Sequence, residues 1–220
     1  MILQSFKTFL TLALCLPLLI SCASSTTASV PVGCEQAISP CLQGKATVEL
    51  TTSKGSITLE LDGDAAPVTA GNFLDLVQRG AYNGTVFHRV VRDPVPFVVQ
   101  GGDPASSDPA TPKTQYGTGS FVDPTTGQTR FVPLELSFDG EDQPRYGRVV
   151  SNPTELVQLK LSHERGALAM ARSQAPDSAS AQFYIALKPL PELDGRYAVF
   201  GRVTEGLEVV DAIRQDDTIE

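Results

Sequence analysis

Chemistry in this chain starts at an arginine set among apolar residues. It lies in Phe87-His88-Arg89-Val90-Val91, whose β-branched and aromatic content reads as a strand. Alternation along a strand puts Phe87, Arg89 and Val91 on one face and His88 and Val90 on the other. A permanently charged guanidinium then sits beside apolar neighbours. A second run, Phe97-Val98-Val99-Gln100, ends in an amide and passes into Gly101-Gly102-Asp103, a turn that needs glycine freedom. On adjacent strands, Arg89, Phe97 and Gln100 would form an apolar pocket with convergent hydrogen-bond donors. Gln182, beside Phe183 and Tyr184, is a further amide of this kind. Each residue alone has a plainer reading: an ion-paired surface arginine, a core phenylalanine, two solvated strand-end amides. Spacing does not decide between the two.

Composition narrows the classes. The chain has 220 residues, 41% hydrophobic and 19% charged, enough for one domain with a sizeable core or two small ones. A net charge of −8 argues against nucleic acid as a partner, because phosphate recognition needs a basic face. With only 2 histidines, a His-built metal site is not expected. Nothing in the chain calls for a cofactor or an oligomer, so a monomer without metal or cofactor is the expectation.

The N-terminus reads as an export signal over residues 1–21. Lys7 supplies the positive charge, and Phe9 to Ile20 is an apolar run too short to span a bilayer comfortably. The run ends Leu19-Ile20-Ser21-Cys22, which resembles the bacterial lipoprotein box. That resemblance implies cleavage before Cys22 and acylation of its thiol. The domain would then be held by lipid to a bacterial membrane, facing the periplasm or an equivalent extracytoplasmic space. Residues 22–45 are expected to be a lipidated tether. They contain Cys34 and Cys41, which an oxidising compartment would join in a disulfide.

The elements that must position the candidate residues follow in order. Residues 46–50 and 56–61 alternate about Ser53-Lys54-Gly55 and read as a β-hairpin. Pro67 to Arg79 reads as a helix with Phe73, Leu74 and Val77 on one face. Strands are expected at 85–91, 97–100, 131–136, 167–171, 182–187 and 197–203. A helix is expected to open at Asn152 and run to about Leu159, and another to run from Leu207 to about Arg214. Residues 104–130, rich in Pro, Gly, Ser and Thr, read as loop. Many short antiparallel strands with few helices suggest a mainly β fold that closes on itself as a barrel capped by helices. The domain is placed at 46–220, with 104–165 as an extended loop region.

Five blocks in fixed order resemble the cyclophilins, the barrel-type peptidyl-prolyl cis–trans isomerases. They are the two already quoted, Gly166-Ala167-Leu168-Ala169-Met170-Ala171, Ser180-Ala181-Gln182-Phe183-Tyr184-Ile185, and Leu193-Asp194-Gly195-Arg196-Tyr197-Ala198-Val199-Phe200-Gly201. The resemblance implies a closed eight-stranded antiparallel barrel capped by two helices. It also implies rotation of X–Pro bonds in exported polypeptides. By position it makes Arg89 the catalytic arginine and assigns the proline-pocket walls to Phe97, Val98, Met170, Tyr184 and Leu193. Gln100 and Gln182 would orient the arginine or bond the substrate backbone. Ala171 and Arg172 would pair with the bound peptide, and Tyr197 would sit at the rim.

Departures from the family pattern carry expectations of their own. Glu192 stands where Trp or Phe is common, which implies weak cyclosporin binding with catalysis less affected. Val98 replaces a common Met, and Tyr184 replaces a common Phe, adding a hydroxyl that needs a partner if buried. The Asp93-Pro94-Val95-Pro96 connection is long enough to displace Phe97. A competing reading is a catalytically weak cyclophilin-like module that binds peptides or assists assembly, using the 104–165 extension.

Overall fold

The computed structural model describes residues 32–35, 37 and 40–220. The expected export signal and Cys22 lie outside them. Among the described residues no helix is long and apolar enough to cross a membrane.

The N-terminal hairpin forms as its alternation requires. β1 (Lys45–Thr52) and β2 (Gly55–Asp62) pair antiparallel with Val48 opposite Leu59 and Leu50 opposite Ile57. Those four side chains all face the core. α2 (Pro67–Gln78) starts on a proline, whose missing N–H is one the first turn would leave unpaired anyway. Its next two N–H groups, of Val68 and Thr69, donate to the two carboxylate oxygens of Glu135 at 3.1 and 2.7 Å. This cap comes from a residue far along the chain, and Glu135 is itself buried. Burial pushes its carboxyl above the usual range, against the pull of those bonds. The face of α2 that enters the core carries Phe73 and Leu76, whereas the expected Leu74 and Val77 are only partly covered. Before it, the short α1 (Val32–Glu35) is tied down by a Cys34–Cys41 disulfide with Cα atoms 5.8 Å apart. Both cysteines pack against the core.

The remaining strands are β3 (Arg89–Val90), β4 (Val98–Gly101), β5 (Glu135–Leu136), β6 (Arg145–Tyr146), β7 (Ala167–Met170), β8 (Phe183–Ala186) and β9 (Val199–Glu205). Seven of them form one antiparallel sheet in the order β1-β2-β9-β7-β8-β4-β3, while β5 and β6 pair separately. The closed eight-stranded barrel is therefore not what the pairing gives. The C-terminal residues add isolated bridges: Ile219 to Thr52 at one edge of the sheet, and Thr218 to Val86 near the other. Single bridges satisfy a few backbone groups at the two edges without building a full ladder. The core lies on one face of the sheet and holds an aromatic cluster, with Phe73 at 5.1 Å from Phe200 and 5.3 Å from Phe183, ring centre to ring centre.

The 104–165 extension is more ordered than a loop. It holds 3-10 turns at Pro104–Ser107 and Lys113–Gln115, the β5–β6 pair and α3 (Pro153–Leu156), capped by the Asn152 side chain. Leu134, Leu136, Phe138 and Val150 close a small core of their own against Ala198. The helix after Asn152 is one turn rather than two. α4 (Leu207–Ala212) follows β9 directly.

Candidate active site

Four adjacent strands set the site. The register places Arg89 of β3 opposite Gln100 of β4, Gln100 opposite Tyr184 of β8, and Tyr184 opposite Ala169 of β7. Residues directly opposite share a face. This row therefore lies on the side of the sheet away from the aromatic core. Around it gathers a second apolar cluster with Val98, Ala169, Tyr184, Leu190 and Val199 at its centre, and Phe97, Ala171, Leu193 and Tyr197 partly covering it.

Strand alternation was expected to put Phe87 and Arg89 on one face. Instead Phe87 is fully buried in the core and Arg89 is exposed on the opposite side. The ladder begins only at Arg89, so the pleat is broken at residues 87–88 and alternation does not carry through. The break lets one short segment anchor an aromatic in the core and offer a guanidinium to the surface.

A cavity of about 260 Å³ opens here, lined by Arg89, Phe97, Val98, Gln100, Ala171, Arg172, Tyr184, Leu193 and Tyr197. The Arg89 guanidinium stands over the Phe97 ring at 5.8 Å. Arg89 Nη1 donates to Gln100 Oε1 at 3.3 Å, Gln100 Nε2 donates to Gln182 Oε1 at 3.2 Å, and Gln182 Nε2 donates to the Gly119 carbonyl at 2.8 Å. Arginine has no acceptor, so Gln100 must turn its oxygen to Arg89, and the direction of the remaining bonds follows. The chain holds the arginine at the pocket edge with its other N–H groups available. Arg172 is fixed in the same way, donating to the carbonyls of Arg196, Ser173 and Gln174 while lying over Tyr197 at 4.8 Å. Tyr197 meets the Tyr184 ring edge-on at 5.9 Å.

Of the expected pocket walls, Met170 is misplaced. Its side chain is 1% exposed and belongs to the aromatic core. The reason is parity: Met170 pairs with Phe183, and both point inward, while Ala169 and Tyr184 point outward. Gln182 touches the pocket only through Gln100. The proline-rich connection does not displace Phe97, because the N–H of Phe97 donates to the Val91 carbonyl and the N–H of Val91 to the Val98 carbonyl, closing the loop. Glu192 is exposed beside Leu193.

Two groups of residues escaped the sequence reading. One builds a second cavity of about 400 Å³ that shares Gln100, Ala171 and Arg172 with the first and adds Gly117 to Ser120, Phe131, Ser173, Ser178, Ser180 and Gln182. Its loop is hung on Asp103, which is fully buried and accepts from the N–H groups of Ala105, Gly117 and Gly119. A Cβ on Gly119 would stand 2.1 Å from the Asp103 carboxylate, so only glycine fits there. The other group is His163 and Asp194, joined to the Tyr184 hydroxyl. The signal for it was the Tyr184 hydroxyl itself, which had to find a partner. Among the described residues no group of three or more His, Cys, Asp or Glu side chains is placed to hold a metal ion.

The site thus sets a cationic donor over an apolar slot on the outer face of an antiparallel sheet. Residues 47–220 match the family described as cyclophilin type peptidyl-prolyl cis-trans isomerase/CLD, and the chain belongs to that family. A Synechocystis protein named as a thylakoid lumen peptidyl-prolyl cis–trans isomerase is 39% identical over 190 residues, 82% of this chain and 47% of its own. A chloroplastic peptidyl-prolyl cis–trans isomerase of Arabidopsis thaliana is 39% identical over 202 residues, 82% of this chain and 42% of its own. The chain thus spans less than half the length of these two relatives. A Helicobacter pylori peptidyl-prolyl cis–trans isomerase is 36% identical over 173 residues, 78% of this chain and 82% of its own. The crystal structure of a Cryptosporidium parvum cyclophilin type isomerase aligns with a TM-score of 0.55 at 25% identity, over 80% of this chain and 98% of that one.

Proposed function

We propose that this chain rotates X–Pro peptide bonds in polypeptides outside the cytoplasm, with Arg89 as its catalytic residue. The barrier to be lowered is the amide resonance of roughly 18–20 kcal/mol. No nucleophile is needed. At the twisted transition state the prolyl nitrogen becomes pyramidal and gains lone-pair density. An Arg89 N–H donates to it, and the donation counts for more beside an apolar wall than in water. Phe97, Val98, Tyr184 and Leu193 hold the pyrrolidine ring while the preceding carbonyl turns. Ala171 and Arg172 offer backbone to the peptide, and Tyr197 closes the rim.

The observation that carries this reading is the Gln182–Gln100–Arg89 relay, which fixes a guanidinium beside the Phe97 ring. Preorganised donors of this kind contribute about 100-fold or more to rate. Arg89→Ala should therefore lower kcat/KM for a proline test peptide by about that factor, in a protein that remains folded. Equal rates for the two proteins would sink the mechanism.

Three features support an extracytoplasmic place: the signal-like residues 1–21, the Cys34–Cys41 disulfide, and relatives named for the thylakoid lumen and the chloroplast. In this reading Cys22 carries a lipid anchor. Cys22→Ala should move the protein from membrane to soluble fractions, and unchanged fractionation would remove the anchor from the account. The second reading, a binding module with little turnover, is favoured by the 400 Å³ polar cavity beside the pocket. It predicts tight peptide capture with negligible isomerisation.

A further inference from the structure

We propose that His163, clamped by Asp194, is a positioning residue that holds the Tyr184 wall of the proline pocket in place through the tyrosine hydroxyl. The proposal rests on the assignment of the 260 Å³ cavity as the proline pocket. Tyr184 presents its ring to that cavity and turns its hydroxyl away from solvent, where it lies 2.8 Å from His163 Nε2. The two rings are stacked within 12° at 5.9 Å. The His163 side chain is 1% exposed. Its Nδ1 is 2.7 Å from Asp194 Oδ1, and the same oxygen accepts the His163 backbone N–H at 2.9 Å. The His163 carbonyl in turn accepts the N–H of Leu190 at 2.8 Å. One imidazole therefore ties together two pocket walls: Tyr184 on β8, and the turn that carries Leu193.

The bonding fixes the tautomer. A carboxylate only accepts, so Nδ1 carries the proton, and neutral Nε2 must accept from the Tyr184 O–H. A protonated ring would donate from Nε2 as well. The tyrosine hydrogen would then have to turn elsewhere, and among the described residues the hydroxyl has no other hydrogen-bond partner. A buried donor left unpaired is costly, and the ring relieves it by shifting into the cavity. Around His163 the facing titratable groups are Asp194 and Glu192 on the 190–196 turn and Tyr184 on β8, with Tyr197 and Arg172 beyond Tyr184. Burial holds the imidazole below its ordinary value, against Asp194, so the neutral form prevails near pH 7.

The test measures KM and kcat of the full chain on a proline-containing tetrapeptide from about pH 5 to 8, the range that brackets imidazole titration. Wild type, Tyr184→Phe, His163→Gln and Arg89→Ala are compared. The expected result is a wild-type KM that rises about fivefold on acidification while kcat changes less, and a flat KM for Tyr184→Phe and His163→Gln. Saturating peptide should lower the NMR titration midpoint of His163 by about 0.7 pH unit, the linked counterpart of that fivefold change. Tyr184→Phe keeps the ring, so it serves if His163→Gln fails to fold. The same acid rise in Tyr184→Phe as in wild type, or a His163 midpoint indifferent to peptide, overturns the proposal. Full activity in Arg89→Ala would instead overturn the catalytic reading beneath it.

Discussion

Two cavities share a wall in this protein and are built by opposite means. The smaller is floored by strand residues: Val98, Gln100 and Tyr184 come from β4 and β8, whose ladder fixes each side chain. The larger is walled by loops, with Gly117 to Ser120 suspended from Asp103 and Ser173, Ser178 and Ser180 opposite. The first is largely apolar with the guanidinium groups of Arg89 and Arg172 at its edge, and the second adds serine and threonine hydroxyls, the Gln182 amide and loop backbone beside Phe131. Rigid walls suit a step that depends on the placement of a single donor. A polar loop-built wall can vary without disturbing that donor, as long as the Gln182–Gly119 bond is kept. In the proposed function, chemistry would fall to the strands and discrimination among peptides to the loops.

The largest effect expected is at Arg89. Arg89→Lys keeps the charge and loses the planar fork, and kcat/KM should fall about 10- to 100-fold. Near-normal activity would mean that charge alone is sufficient. Phe97→Ala removes a ring from the apolar pocket. Burial of such a side chain is worth about 1.5–3 kcal/mol, so peptide affinity should drop roughly 10- to 100-fold. Calorimetric titration with a proline peptide checks this.

On the loop side, Asp103→Ala orphans three backbone N–H groups. It should lower stability by about 2–3 kcal/mol in chemical denaturation. It should also raise hydrogen exchange at Gly117 and Gly119, while activity on a short peptide falls less than in Phe97→Ala. A larger loss of activity than in Phe97→Ala would erase the distinction between the two cavities.

The smallest effect concerns acid. His88 and His163 are both held below the ordinary imidazole value, chiefly by burial. Their unfolded forms bind protons first. The stability they contribute is present above about pH 6.5 and is lost as pH falls toward their native values. Thermal unfolding at several pH values should show this slope below about pH 6.5, and it should shrink in His163→Gln.

What was legible in the sequence follows the same division. The hairpin, α2 and the strands that carry the pocket were readable because alternation and turn residues are local signals. Arg89, Phe97, Gln100, Tyr184 and Leu193 were placed together by the resemblance of their blocks to the cyclophilins, since spacing alone left the plainer readings open. Met170 was misassigned because one step of parity separates core from pocket, and only the pairing with Phe183 sets it. The break in the pleat between Phe87 and Arg89 had no local mark. Glu135 as the cap of α2, and Asp103 as the anchor of residues 117–119, act across distances in sequence that no window covers. The bridges that Thr218 and Ile219 make to the two edges of the sheet are likewise a result of tertiary geometry.

The most direct test of the central claim measures binding and rotation on one sample. Two-dimensional NMR exchange on a proline peptide gives the catalysed cis–trans rate, and its titration gives the affinity. For Arg89→Ala the account predicts a peptide Kd within a few-fold of wild type and a catalysed exchange rate lower by about 100-fold. An exchange rate equal to wild type at matched occupancy would contradict it, because the pocket would then turn the prolyl bond without the guanidinium that stands over Phe97.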